Sequence, residues 1–113
     1  MGGSAARPRD LLVDVAANGE TSVVTVSGDI DINSCGRLRE ELGRLIDAGV
    51  TTVVVDLAHM DFVDSTGLDV LVGAQKRLSQ RGGEVVLRSP RPAARKVFEI
   101  TRLDAIFSID SPA

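Results

Sequence analysis

Asp64-Ser65-Thr66-Gly67 places two hydroxyls and a carboxylate directly before an apolar pattern of helical period. A hydroxyl at the first turn of a helix can cap the free N–H groups there, for about 1 kcal/mol. It can also carry a phosphate, because those N–H groups and the positive end of the helix dipole receive an anion. Both readings apply to Ser65, with Thr66 as the second candidate acceptor. Asp61, Asp64, Asp69 and Asp31 make the surroundings acidic, so a phosphate of roughly −1.5 to −2 charge would meet carboxylates already present. A second acidic segment, Asp29-Ile30-Asp31, follows Gly28. Asp29 reads as a solvated loop acid, and Asp31 either as an aid to the next helix cap or as a contact for a partner. Cys35 falls in the first turn of that helix, where thiols are sometimes reactive but where a small packing residue serves equally. His59 reads as a solvated turn residue. One His and one Cys do not make a zinc set. No Ser-His-Asp arrangement has a credible base, and Lys76 follows no glycine-rich phosphate loop. The expectation is a binding protein without catalytic residues, cofactor or metal.

These residues must be positioned by a small fold. Residues 1–10 are small, basic and proline-containing, and read as a flexible tail before a single domain over 11–113. Leu11, Val13 and Val15 alternate along a first strand. Asn18-Gly19 signals a hairpin turn, and Val23, Val24 and Val26 form the return strand ending at Gly28. A helix is expected from Asn33 or Ser34, with Leu38, Leu42, Leu45 and Ile46 inward and Arg39, Glu40 and Arg44 outward, stopping at Gly49. Thr52–Leu57 is β-branched and apolar, as for a central strand covered on both faces. A second helix begins near Ser65 or Thr66, runs through Leu68, Leu71, Val72 and Leu78, and stops at Gly82-Gly83. Then come a strand at Glu84–Arg88, a third helix opened by Pro90 and Pro92 with Ala94, Val97, Phe98 and Leu103 inward, and a short edge strand over 106–109. Strand and helix alternate with short loops, so the fold class is α/β: a mixed, mostly parallel sheet of four to five strands, opened by a hairpin and covered by helices. In such sheets, binding groups gather at the carboxyl ends of the parallel strands, where both acidic segments fall.

With the motifs in order, the chain resembles the STAS domain family, and within it the anti-sigma factor antagonists, also called anti-anti-sigma factors. Asp61-Phe62-Val63-Asp64-Ser65-Thr66-Gly67-Leu68 is similar to their phosphorylation loop. Gly28-Asp29-Ile30-Asp31, Gly82-Gly83-Glu84-Val85-Val86-Leu87 and Pro92-Ala93-Ala94-Arg95-Lys96-Val97-Phe98 resemble three further family segments, in family order across residues 11–109. Two positions depart from the pattern. Arg102 stands before Leu103 where many relatives have Gly, and Arg91 stands before Pro92 where a small capping residue is usual. The resemblance implies a partner-switching cycle. The dephosphorylated protein binds an anti-sigma factor that is a GHKL-type serine kinase, which frees a sigma factor. Phosphorylation of Ser65 breaks the complex, and a PPM-type serine phosphatase resets it. It further implies that Asp31, Asp64, Thr66, Gly67 and Asp29 contact the partner.

Other classes fit less well. Asp29-x-Asp31 after a strand is similar to the opening motif of haloacid-dehalogenase-like phosphatases, but Asn33 stands where Thr or Val is wanted. Asp56 at a strand end suggests a receiver-like phosphoacceptor, yet the chain opens with a hairpin instead of an acidic pair. A STAS module of a transporter or stress-signalling complex shares the fold and remains an alternative. A net charge of −3 without a basic cluster argues against nucleic acid. No apolar run reaches spanning length, and no signal peptide is evident. With a single cysteine, these features give a cytoplasmic expectation.

Overall fold

The computed structural model describes residues 11–110; the expected tail over 1–10 lies outside them. Eight elements follow in the order β1 (Leu12–Asn18), β2 (Thr21–Ile30), α1 (Cys35–Asp47), β3 (Thr52–Val63), α2 (Ser65–Ser79), β4 (Glu84–Arg88), α3 (Pro92–Ile100) and β5 (Ser108–Asp110), with a 3₁₀ turn at Leu103–Ala105. The five strands lie in one sheet in sequence order. β1 pairs antiparallel with β2, and the remaining neighbours are parallel.

Each parallel crossover advances by one strand in the same direction. With the usual right-handed connection, this sends every helix to the same face. Burial agrees. Val24, Val26, Val53, Val55, Leu57, Val85 and Leu87, which share the inner face, are all fully buried. Across the other face, the row Ala16–Val23–Val54–Val86 runs through exposed or half-buried positions, with Val54 alone buried. The expectation that β3 is covered on both faces therefore does not hold; β-branched content reflects strand propensity as well as burial. Leu38, Leu42, Leu45 and Ile46 of α1 are buried as their spacing requires, and in α2 Val70 and Ala74 join Leu68, Leu71 and Leu78 inside.

Local chemistry moved several boundaries. Asn18 ends β1, so Gly19 and Glu20 make the two-residue turn. Only Gly19 has a positive φ, +65°, the glycine-first form of hairpin turn. β2 passes through Gly28 to Ile30, made possible by a φ of +91° at Gly28. β3 continues to Val63, and two irregularities in its register against β2 make room for the extra length, between Thr25 and Ser27 and between Gly28 and Asp29. His59 is thus an exposed strand residue and not part of a turn. α3 begins at Pro92 without a side-chain cap and ends on Arg102 at φ +62°. An arginine here adopts the left-handed conformation that glycine usually supplies after a helix end. Leu103 consequently leaves the α3 stripe for the 3₁₀ turn, and the last strand starts at Ser108.

Candidate functional site

α2 starts one residue earlier than a Ser65 cap would place it. Asp64, in extended backbone, is the N-cap, and Ser65 is the first helical residue. Asp64 Oδ1 accepts the backbone N–H of Thr66 at 2.9 Å and of Gly67 at 3.1 Å. It also accepts the Thr66 hydroxyl. The Thr66 hydroxyl above all, opposed by desolvation and joined by the amides of Gly67, Thr66 and Ile32, holds the Asp64 carboxyl below its ordinary value of 3.8. Thr66 is therefore half-buried with its hydroxyl engaged. Ser65 is exposed, and its hydroxyl has no hydrogen-bond partner among the described residues.

Gly67 is buried beneath this turn. A Cβ there would lie 2.5 Å from Ile30 Cγ2 and 2.8 Å from Val63 Cγ2. Only glycine lets the first turn of α2 rest on the ends of β2 and β3. The Asp64 amide donates to the Ile30 carbonyl at 3.0 Å and joins the two acidic segments into one surface.

On the β2 side, Asp31 organises the entry to α1. Its Oδ1 accepts from Asn33 N at 2.9 Å, Ser34 N at 3.1 Å and Ser34 Oγ at 3.1 Å. Ser34 Oγ in turn accepts from Asp31 N at 2.9 Å and lies 3.0 Å from the Asp29 carbonyl. Ser34 occupies the N-cap position of α1 yet makes no cap bond of its own. The capping aid expected of Asp31 is thus what its carboxylate provides. Asp29 differs from the solvated loop acid expected. It sits within β2 opposite Phe62, and its Oδ1 is buried without a hydrogen-bond partner. Asp29, Asp31, Asp61 and Phe62 line a shallow depression here.

Two features of this surface were missed by the reading of the sequence. Phe62 is 54% exposed near the end of β3, and Ile32 is 71% exposed in the loop before α1. Single exposed apolar side chains are common on protein surfaces; Phe62 stands out because it lines the acidic depression with Asp29, Asp31 and Asp61. The signal for Phe62 was its place among charged residues, Asp61 and Asp64, in a chain with only three aromatics. Asp61 is also less free than its position suggested. Arg91, the departure from the small capping residue, bridges Asp61 at 2.6 Å and donates to the Ala58 carbonyl at 2.9 Å. Cys35 is buried, with Sγ 3.8 Å from the Ile32 carbonyl, which fits the packing reading. Among the described residues, no three His, Cys, Asp or Glu side chains converge as a metal site, and no helix is long and apolar enough to cross a membrane.

The chain is similar to proteins of known type. It shares 34% identity over 102 residues with the anti-sigma-B factor antagonist of Bacillus subtilis, spanning 90% of this chain and 93% of that one. Identity to the anti-sigma-F factor antagonist RsfB of Mycobacterium tuberculosis is 29% over 106 residues, 92% of this chain and 84% of RsfB. The crystal structure of an anti-sigma factor antagonist from Mycobacterium paratuberculosis superposes with a TM-score of 0.83 at 27% identity, over 94% of this chain and 90% of that one. The phosphorylated form of the Bacillus cell fate determinant SpoIIAA has the same fold, with a TM-score of 0.74 at 24% identity over 90% of this chain and 92% of that one. The family model for the STAS domain matches residues 13–112, so both the motif order and the one-faced five-stranded sheet have a common explanation in that the chain belongs to the STAS domain family.

Proposed function

We propose that the protein is an anti-sigma factor antagonist switched by phosphorylation of Ser65. The observation that carries this reading is the division of roles at the start of α2. Asp64 caps the helix and engages Thr66, while Ser65 presents an unengaged hydroxyl to solvent at the positive end of a 15-residue helix. The names of the relatives support the antagonist role. In the dephosphorylated state, Phe62 and Ile32 anchor an anti-sigma factor, with Asp31, Asp29, Asp64 and Thr66 forming the polar rim. That factor is a serine kinase of GHKL type, and holding it releases the sigma factor. The kinase transfers the terminal phosphoryl group of ATP to Ser65 Oγ, ADP leaves, and the hydroxyl proton passes to a base of the kinase. A PPM-type serine phosphatase hydrolyses the ester and restores the hydroxyl. ATP and metal belong to these partners; the chain itself is their substrate. The cycle runs in the cytoplasm.

The physical size of the switch is adequate. Against a partner carboxylate about 8 Å away, at an effective dielectric of about 40, the added charge costs ~2 kcal/mol. That corresponds to ~30-fold in affinity. Loss of close fit at Ser65 adds to it. The test is incubation with the cognate kinase and ATP, followed by mapping of the phosphate by mass spectrometry. All phosphate is expected on Ser65, and none on Ser65→Ala. Phosphate on Thr66 in the wild type, or undiminished incorporation in Ser65→Ala, would refute the assignment.

A further inference from the structure

A second surface lies on the outer flank of the helical layer and is independent of the reading of Ser65. α1 and α2 pack side by side, and an open groove of about 460 Å³ runs between them. Its floor is Leu42, Ile46, Val70 and Ala74. Gly43 and Gly73 also line it, each near the middle of its helix. Glycine in a helix interior is destabilising relative to alanine. Nothing within the chain calls for it here. Neither residue has a positive φ. A Cβ on Gly73 would meet nothing within 4 Å, and one on Gly43 would meet only the Arg77 guanidinium, at 3.8 Å.

The charges around the two glycines follow a rule. Arg39 and Asp47 lie four residues before and after Gly43. Asp69 and Arg77 lie four residues before and after Gly73. Residues four apart share a helix face, so each glycine is flanked on its own face by opposite charges. All four charged residues are exposed, and Arg77 reaches across the groove to Asp47 at 2.7 Å. In both helices the sign reverses about the glycine.

We propose that this face is the two-fold interface of a homodimer. A two-fold axis crossing both helices at the level of the glycines lays α1 antiparallel on its copy and α2 antiparallel on its copy. Arg39 then meets the second copy's Asp47, and Asp69 meets the second copy's Arg77, each contact occurring twice. An isologous contact requires a patch complementary to itself under this rotation. Sign reversal about a central small residue meets that requirement; binding of an unrelated partner would not need it. The glycines sit on the axis, where bulk on one copy would collide with the same bulk on the other. The aliphatic stems of Arg39, Lys76 and Arg77 cover the groove floor between the two layers.

The test is sedimentation equilibrium of the full chain from about 1 μM to about 1 mM, a span that registers even weak association. The wild type is expected to dimerise with rising concentration. Arg39→Glu and Asp47→Arg each set like charges together at two places and should weaken the dimer about tenfold or more. Because Arg77 bridges Asp47 within the chain, the exchange is made in an Arg77→Gln background, where the combined Arg39→Glu/Asp47→Arg variant re-forms the pair with its signs exchanged and should recover most of the affinity that each single parent loses in that background. Gly73→Gln, which has open space in the monomer, should keep the circular dichroism of the fold and lose the dimer. A wild type monomeric at the highest concentration would overturn the proposal. So would a dimer indifferent to Gly73→Gln, or a combined variant no tighter than its single parents.

Discussion

With its carboxylate taken up by Thr66 and Gly67, Asp64 leaves the Ser65 hydroxyl with no duty in the fold. Ser65→Ala is therefore expected to change stability by no more than about 0.5 kcal/mol, as at an ordinary surface position. A Ser65 cap would have cost about twice that. Ser65→Asp gains from the helix dipole but meets Asp64 beside it and Asp69 four residues on, so it should leave the stability of the free protein within about 0.5 kcal/mol of wild type, while weakening its hold on the anti-sigma factor. Urea unfolding and titration calorimetry measure the two effects separately, and a phosphomimic that lost affinity only because it unfolded would contradict this geometry. Asp64→Ala removes the cap and should lower the Tm by about 5 °C. The Asp64 pKa is depressed in the folded state, so the unfolded chain binds more protons as the carboxyl titrates and stability rises with pH in that range. The contribution is complete above about pH 4, near the unfolded value, and is lost as pH falls through the lower folded pKa. Melting curves of wild type and Asp64→Ala should converge at acid pH; a gap that persists or widens there would exclude the charged cap. The sequence marked this turn as the site, but it could not choose between two adjacent caps, because Asp and Ser have nearly equal N-cap preference.

The elements themselves were readable wherever one period held from end to end. The stripe Leu38, Leu42, Leu45, Ile46 located α1, and Glu84–Arg88 was found at its observed bounds. What could not be read was the far half of β3. Its register shifts against β2 break the two-residue alternation, so His59, Asp61 and Phe62 took on the look of a loop. The exposure of Phe62 and Ile32 was hidden for the same reason: periodicity assigns faces only inside regular structure. Glycines in helices show a related contrast. Gly67 and Gly73 both lie in α2, but one is pressed against Ile30 and Val63 and the other faces open space. Gly67→Ala should destabilise by about 1–3 kcal/mol through overpacking, whereas Gly73→Ala should stabilise the monomer by about 0.5–1 kcal/mol through helix propensity. Urea midpoints of the two variants, moving in opposite directions, check both. Equal shifts would show that the close approach at Gly67 does not constrain the helix.

For the whole molecule, a phosphate on Ser65, as proposed, would project from an exposed side chain at a turn whose Thr66 and Gly67 amides Asp64 already holds, so the sheet need not rearrange. On phosphorylation, amide NMR shifts should be confined to residues 29–34 and 61–70; changes spread through β1, β4 and β5 would point to refolding instead. The topology has a practical consequence too. β1 runs antiparallel to β2, so Leu12 lies beside Ser27, near the end of β2 that leads to Asp31. β5 runs parallel to β4 and finishes at Asp110 opposite Arg88, at that same end of the sheet. The described chain thus enters and leaves beside the surface that carries Ser65, while the Gly19-Glu20 turn sits at the opposite pole. A fluorescent protein joined directly before Leu12 or directly after Asp110 should obstruct docking of the anti-sigma factor, and the same protein inserted at that turn on flexible linkers should leave the affinity near wild type. Labels set tight against β1 or β5 would then under-report the interaction, so they belong at the hairpin.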